Sequence, residues 1–204
     1  PELSRGLGDV YKRQGEINDV IVIAPNSVYT NWVKEIKNHS KVQPQIFIWK
    51  THDPEKLAVW NYDSFFFLLM NVEALSRDKG IKFLKKQLIK RGNHTMLIVD
   101  ESTTIKNKTA QRTKSLCKVG LSAKYKRILT GSPVTKSPLD LYTQCQFLDK
   151  DLLGFSSFYT FRNRYAILQE INLGTHSTKI PVKYINTEEL EQKLKGFSYR
   201  CTKA

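Results

Sequence analysis

A short apolar run that ends in two adjacent acids is the feature that most constrains this chain. Residues 96–99 read Met-Leu-Ile-Val and are followed directly by Asp100 and Glu101. Such a run is typical of a parallel strand that is buried on both faces and delivers polar side chains at its carboxyl end. A second motif, Ile-Leu-Thr-Gly-Ser-Pro at residues 128–133, follows about thirty residues later. Together they predict an α/β fold with its chemistry at one edge of a parallel sheet.

Two neighbouring acids at a strand end suit phosphoryl transfer. That reaction depends on placing the nucleophile and on neutralising phosphate charge with a metal ion. We predict that Asp100 holds Mg²⁺ through a water molecule and that Glu101 orients or deprotonates the attacking water. The sequence Asp-Glu-Ser-Thr at residues 100–103 also suits the start of a helix, because acids and hydroxyls there act as caps. The pattern is compatible with both roles.

The beginning of the chain does not provide a phosphate-binding loop. Residues 4–14 resemble the translation of an adapter used in preparing sequencing libraries, so we treat residues 1–14 as non-native. The pattern G-x-x-x-x-G-K-[ST] requires Lys directly after its last Gly, whereas Asp9 follows Gly8 here, and no other segment matches it. We therefore expect the phosphate loop in native sequence upstream of Gly15.

The charge of the chain points to a polyanionic partner. The 33 Lys and Arg residues outnumber the 19 Asp and Glu residues, which gives a net charge of +14 at pH 7. Residues 102–139 contain no carboxylate, so their cations adjoin the predicted active site. A single lysine in this region can also belong simply to the solvated face of a helix.

The composition argues against several other classes of protein. No apolar run approaches the roughly 18 to 20 residues that a membrane-spanning helix needs, so no membrane segment is predicted. The three cysteines, Cys117, Cys145 and Cys201, are scattered, and the four histidines show no ligand spacing. Neither a disulfide framework nor a zinc site is therefore predicted, and a reducing compartment fits best.

Apolar runs and helical stripes alternate along the chain. Helices are predicted at residues 81–91 and 109–119 and in the segment that contains Trp32 and Ile36. Strands are predicted at residues 19–24, 45–49, 65–70, 96–99 and 127–129. This alternation predicts a mostly parallel sheet with helices on both faces.

Four segments, in chain order, resemble motifs of the Swi/Snf-type ATPases of helicase superfamily 2. Residues 19–32 look like motif Ia, an apolar strand followed by Pro, a polar turn and Asn-Trp. Residues 70–75 resemble motif Ib, residues 100–107 the Walker B motif and residues 130–133 motif III. Residues 161–166 and 197–203 are similar to the later helical part of phage and bacterial members.

The resemblance implies a RecA-like first motor lobe of the P-loop NTPase type. It would occupy residues 15–150 without its phosphate loop, with a helical extension at residues 151–204 and the second lobe missing beyond Ala204. ATP and Mg²⁺ would be the cofactors. The partner would be duplex or branched DNA, bound without reading its sequence, in the cytoplasm of a bacterial or phage-infected cell.

The resemblance also assigns roles to individual residues. Asp100 and Glu101 would be catalytic, with Asp100 at the metal. Thr103, Thr130, Gly131 and Ser132 would couple the nucleotide state to the DNA site, although Thr103 stands where the family commonly has His. The DNA-facing residues would be Pro25, Asn26, Ser27, Trp32, Asn71, Glu73, Lys106 and Asn107, which position the phosphate backbone.

Two other functions fit the same sequence. The chain could belong to an RNA helicase of the DEAD or DEAH kind, because phosphate contacts from the lysine-rich region serve either polymer. It could also be a non-catalytic nucleic-acid-binding module whose acids only cap a helix. Trp32 has a plainer role available as well, since an aromatic residue in an amphipathic helix often belongs to the core.

We expect this chain by itself to show no appreciable ATP turnover, because its sequence lacks the phosphate-loop pattern. A phosphate-release assay with Mg²⁺ and DNA measures this directly. Turnover that depends on magnesium and disappears in Asp100→Ala would contradict the expectation.

Overall fold

The computed structural model describes residues 17–40, 43–50, 65–172, 174 and 177–200. The adapter-like residues 1–14 and residues 201–203 of the last resemblance lie outside this part. The chain forms two compact units, Pro1–Gly131 and Ser132–Ala204. Within the described residues, no helix is both long and apolar enough to cross a membrane.

The first unit is built on a parallel sheet. Its described strands are β1 (Asp19–Ile23), β2 (Gln45–Ile48), β3 (Phe66–Met70), β4 (Thr95–Asp100) and β5 (Tyr125–Leu129). They lie in the order β2-β3-β1-β4-β5, and every neighbouring pair is parallel. This arrangement confirms the predicted fold class and places the carboxyl ends of all five strands at one edge.

The three inner strands are buried on both faces. All residues of β1 and β3 are buried, and so are the first five residues of β4. Such burial explains why these strands read as continuous apolar runs instead of alternating sequences. The outer strand β5 is only half-buried, and the Arg127 guanidinium donates a hydrogen bond of 2.8 Å to the carbonyl of Lys126.

Helices cover both faces of the sheet. Helix α1 (Tyr29–His39) buries Tyr29 and Ile36 in a cluster with alternate residues of β1, β3 and β4. Helices α2 (Asp78–Arg91) and α3 (Gln111–Gly120) contact each other and contribute no residue to that cluster. The ring of Phe83 in α2 lies 4.3 Å from the ring of Trp49, which places α2 on the opposite face.

The second unit has its own core. It contains α4 (Leu141–Leu148), α5 (Phe158–Tyr165), β6 (Ala166–Asn172), β7 (Ser177–Tyr184) and α6 (Thr187–Lys195). Leucine and aromatic side chains make up most of this core, with Phe161 and Tyr165 fully buried. Besides its helices, this unit contains an antiparallel hairpin of β6 and β7 that the sequence did not predict. Its polar, largely exposed strands lack the apolar run that marks a strand of the main sheet.

A buried ion pair joins the amino end of β1 to the end of α2. The Asp19 carboxylate pairs with the Arg91 guanidinium, and their side chains are 2% and 11% exposed. Burial raises the pKa of Asp19 to about 6, although Arg91, Thr95 and His94 act in the opposite direction. This carboxyl group lies at the opposite end of β1 from the acids of β4.

Asp19 should make stability fall as the pH rises from about 4 to about 6. Its folded-state pKa is above its ordinary value, so folding takes up a proton and protonation stabilises the folded state. The raised pKa adds about 3 kcal/mol to the free energy of unfolding below pH 4, and this contribution is lost above pH 6. Urea unfolding across this range measures it, with Asp19→Asn as the comparison. Identical pH slopes in the two proteins would contradict the assignment.

Candidate nucleotide and nucleic-acid site

Four of the strands deliver the sequence motifs to the same edge of the sheet. β1 leads into Pro25, β3 into Asn71, β4 ends in Asp100 and β5 leads into Thr130. In the ladders, Ile23 lies beside Val99 and Met70, and Asp100 lies beside Leu129. The residues that follow these positions therefore converge at the carboxyl edge, where open α/β sheets bind their ligands.

Asp100 is held by two hydrogen bonds. The indole Nε1 of Trp32 donates to Oδ2 at 2.7 Å, and the backbone N–H of Glu101 donates to Oδ1 at 2.9 Å. Asp100 is half-buried, so these contacts fix its carboxylate while leaving part of it open to solvent. A carboxylate offers about four acceptor positions. Both oxygens can therefore accept further hydrogen bonds from water.

Glu101 has an exposed side chain on an unusual backbone. Its φ of 49° and ψ of 57° lie in the left-handed region. That conformation costs a residue other than Gly about 1–2 kcal/mol. It stands before the short 3-10 turn Ser102–Ile105 but makes no side-chain cap there. The structure therefore does not show Glu101 capping this turn, which is the alternative role that the sequence allows for these acids.

The turn after the acids is tied to the rest of the unit. Ser102 and Ile105 are buried, whereas Thr103 is half-buried. The Arg112 side chain reaches back from α3, and its Nε donates to the Thr104 carbonyl at 3.0 Å. No local pattern in the sequence marks this role of Arg112, because Thr104 lies eight positions away from it. Its contact fixes the loop that carries Thr103.

The polar residues of the predicted motif Ia turn are exposed to solvent. Asn26 and Ser27 are exposed in the 3-10 turn Asn26–Val28, and Pro25 is half-buried before it. This turn leads directly into α1, whose first turn contains Trp32. Exposed polar groups in such a turn are available to a large ligand outside the sheet edge.

The predicted motif Ib turn has a built-in cap. The Asn71 side chain accepts a 2.7 Å hydrogen bond from the backbone N–H of Glu73, which is itself exposed. The turn also packs tightly against α2, because a Cβ on Gly80 would lie 2.2 Å from the Ala74 carbonyl oxygen. Burial raises the pKa of the Tyr29 hydroxyl, and the charge of Glu73 adds to this effect.

Lys106 and Asn107 continue the loop beyond the acids. The Asn107 Oδ1 accepts hydrogen bonds from the backbone N–H and the hydroxyl of Thr109, at 2.9 and 2.8 Å. That oxygen is therefore occupied in organising the loop before α3. Lys106 is half-buried in the same loop.

The predicted coupling motif is divided between the two units. Thr130 and Gly131 end the first unit, directly after β5, and Ser132 begins the second. A Cβ on Gly131 would meet no atom within 4 Å, so its surroundings are open. Ser132 donates to the Val134 carbonyl at 3.1 Å, and the segment that follows is held by the buried amide of Gln144, which donates to the Pro133 carbonyl at 2.8 Å.

The acids fit a magnesium–nucleotide complex better than a protein-enclosed metal. Among the described residues, no group of three or more His, Cys, Asp or Glu side chains could hold a metal ion. Mg²⁺ usually keeps several waters and takes only one or two protein carboxylates beside the phosphates of its nucleotide. Asp100, with both oxygens pre-positioned, meets that requirement.

The contact between Trp32 and Asp100 is the feature that sequence reasoning missed. The indole N–H of Trp32 donates to the predicted metal carboxylate, 68 positions away in sequence, while its ring packs against the core cluster. Only the adjacency of β1 and β4 brings the two together, so their spacing along the chain gave no signal. The predicted contact of Trp32 with DNA stays a prediction.

The sheet and its acid-bearing edge define a RecA-like α/β lobe. Comparison with protein families is more specific, because the SNF2-related domain matches residues 3–203. The chain belongs to this family.

Several curated proteins share part of this sequence. Protein CHROMATIN REMODELING 20 of Arabidopsis thaliana is 29% identical over 199 residues, which cover 90% of this chain and 13% of that protein. A Caenorhabditis elegans homolog of the SWI/SNF-related matrix-associated actin-dependent regulator of chromatin subfamily A-like protein 1 is 26% identical over 155 residues. These cover 72% of this chain and 20% of that protein. The chain therefore spans only a small part of these relatives.

A solved structure has the same fold. The SWI2/SNF2 ATPase core of Sulfolobus solfataricus, solved in complex with dsDNA, superposes with a TM-score of 0.67 at 22% identity. The superposition covers 95% of this chain and 36% of the archaeal chain.

We predict that Trp32 and Asp100 are energetically coupled. Because a hydrogen bond to a charged group contributes about 1.5–3 kcal/mol, Trp32→Phe and Asp100→Ala should show a coupling free energy of about that size. Urea unfolding of both single variants and the double variant, followed by circular dichroism, measures it. Trp49→Phe combined with Asp100→Ala is the control and should be additive within about 0.5 kcal/mol. Equal coupling free energies for the Trp32–Asp100 pair and the Trp49–Asp100 pair would exclude the contact.

Proposed function

We propose that this chain is part of a DNA-dependent ATPase that moves along or remodels duplex or branched DNA. The observation that carries the proposal is the placement of Asp100 and Glu101 at the carboxyl edge, beside the turns of the other motifs. Membership of the SNF2-related domain family supports it. The archaeal ATPase core with the same fold was solved with dsDNA.

The two acids have different surroundings, which suit different tasks. Asp100 is held by Trp32 and by the Glu101 backbone, so it can present a fixed carboxylate to the waters of Mg²⁺. Bound Mg²⁺ would neutralise phosphate charge as the transferred group leaves. Glu101 is exposed beside it and makes no cap, so its carboxylate is available to orient a water or take its proton.

The DNA site in this proposal lies along the turns that follow β1, β3 and β4. Asn26, Ser27 and Glu73 are exposed there, and Asn71 and Asn107 keep their turns in shape. The side chains of Asn26 and Ser27 can position a phosphate backbone without reading its sequence, whereas the Glu73 carboxylate has no donor to offer a phosphate. The motif III residues, Thr130, Gly131 and Ser132, would together with Thr103 relay the nucleotide state to these turns.

Trp32 gives this relay a physical connection. It lies in the first turn of α1, three residues into the helix that begins directly after the exposed turn, and its indole holds Asp100. Movement of the turn on DNA would therefore move a donor of the metal carboxylate. The ring of Trp32 also packs against the core cluster, as its plainer role predicts, and contact between Trp32 and DNA stays a prediction.

The proposal includes the rest of an SNF2-type motor. A second RecA-like lobe in the same protein would complete the ATP site, and the fragment alone would be inactive. We place the protein in the cytoplasm of a bacterial or phage-infected cell, where thiols such as those of Cys117 and Cys145 stay reduced.

In the intact protein, Glu101→Gln should lower DNA-stimulated ATP turnover by about 10²–10⁴-fold, because it removes the general base. The affinity for ATP should change little, since Gln has the same size and the side chain is exposed. Phosphate release with duplex DNA, branched DNA or RNA measures turnover, and fluorescent-nucleotide binding measures affinity.

Glu35→Gln is the matched control, because Glu35 lies on α1 and pairs with His39 away from the acids. Unchanged turnover in Glu101→Gln would remove Glu101 from the mechanism. Stimulation by RNA but not by DNA would favour an RNA helicase. DNA binding without any turnover would favour a non-catalytic module.

A further inference from the structure

The second unit contains a polar groove that no role has been assigned to. It has a volume of about 430 Å³ and lies between the last turn of α5 and one face of the hairpin. Its lining consists of Arg162, Asn163, Ala166, Leu168, Glu170 and Lys179. Ala166 and Leu168 form its apolar floor, and the remaining lining residues supply two cations, one amide and one carboxylate. The volume is within the range of small-ligand sites.

The charge of Arg162 is not neutralised by an ion pair within the described part of the unit. Its Nε is buried without a hydrogen-bond partner, and no carboxylate among the described residues forms an ion pair with it. Arg164, two residues along, is different, because it pairs with Glu189 and supports the junction with α6. The guanidinium of Arg162 lies instead 5.3 Å from the ring centre of Tyr159, an arrangement that holds it in place.

The hairpin adds a second cation on the same side. Lys179 lies directly opposite Glu170 across the two strands, and both line the groove. Glu170 accepts a 2.6 Å hydrogen bond from Ser177, so one of its oxygens is occupied. Two cations against one carboxylate leave the groove with a net positive charge.

We propose that this groove binds a phosphate group of a nucleic-acid backbone through Arg162 and Lys179. A guanidinium fork matches phosphate oxygens, and a lysine adds a point charge beside it. The groove is open and mostly polar, so it suits a phosphodiester that continues beyond it better than a nucleotide whose base needs an apolar enclosure. The site extends the proposed function, because it adds a contact of the second unit to the same polymer.

The first experiment measures duplex binding by the chain at several salt concentrations. Fluorescence anisotropy with a labelled 20-base-pair duplex should show that Arg162→Gln and Lys179→Gln each weaken binding about three- to ten-fold. Each variant should also lower the slope of log affinity against log salt by about 1, the amount expected for one lost phosphate contact. Circular dichroism checks that both variants fold.

Two controls separate the groove from general charge. Lys183→Gln removes a cation from the same strand, but Lys183 lies opposite Ile167 on the other face of the hairpin. It should change the slope much less than Lys179→Gln. Glu170→Gln should tighten binding by removing repulsion, whereas Glu191→Gln, on exposed α6, should not. Equal effects of Lys179 and Lys183, or of Glu170 and Glu191, would overturn the proposal.

The second experiment asks whether the groove itself binds the anion. Titration with inorganic phosphate should shift the Arg162 Nε–H resonance in an NMR spectrum, and the shift should saturate and shrink in Lys179→Gln. No shift would overturn the site. If inorganic phosphate shifts the resonance but the variants keep the salt slope of the unchanged protein, a nucleic-acid backbone is overturned as the source of the bound phosphate group.

The failure of this proposal can be distinguished from failure of the proposed function. If the chain binds duplex DNA with equal slopes in all variants, the groove proposal is wrong and the proposed function stands. If the chain binds no duplex at all, nucleic acid is overturned as the ligand of the groove, and the proposed function is decided separately by the DNA-stimulated turnover of the intact protein.

Discussion

The position of β1 between two parallel neighbours is the constraint on which the rest of the first unit depends. β1 pairs with β3 on one side and β4 on the other, and all its residues are buried. Parallel pairing brings the carboxyl ends of these strands to one edge and requires helices to return the chain. The apolar runs are thus needed for both the core and the placement of the acids. A shift of register by one residue would turn every buried side chain to the other face.

The contact from Trp32 to Asp100 shows how this scaffold orients a side chain at the carboxyl edge of the sheet. A tryptophan from the helix after β1 fixes one oxygen of a carboxylate at the end of β4, and the next backbone N–H fixes the other. The carboxylate is therefore oriented before any ligand arrives, which is what electrostatic catalysis requires. The same helix begins at the exposed turn Asn26–Val28, so the orientation of the acid and the position of that turn are linked.

The sequence was informative wherever burial was complete. The inner strands, and the acids at the end of β4, follow from continuous apolar runs, which are typical of strands in a covered parallel sheet. The hairpin was missed because its strands are exposed and carry polar residues, so no apolar run marks them. The left-handed backbone of Glu101 and the long-range partners of Trp32 and Arg112 depend on tertiary contacts, which local patterns do not encode.

The edge strand β5 has a further consequence, for behaviour in concentrated solution. An uncovered strand is a template onto which another chain can add, and proteins resist such polymerisation by placing charges along the edge. Here Arg127 lies exposed on β5 beside Lys126 and folds back onto the Lys126 carbonyl. The Lys126 carbonyl is thus engaged by the chain's own side chain, and two neighbouring cations lie on the last described strand of the sheet. Like charges of this kind disfavour the addition of a second copy to the strand.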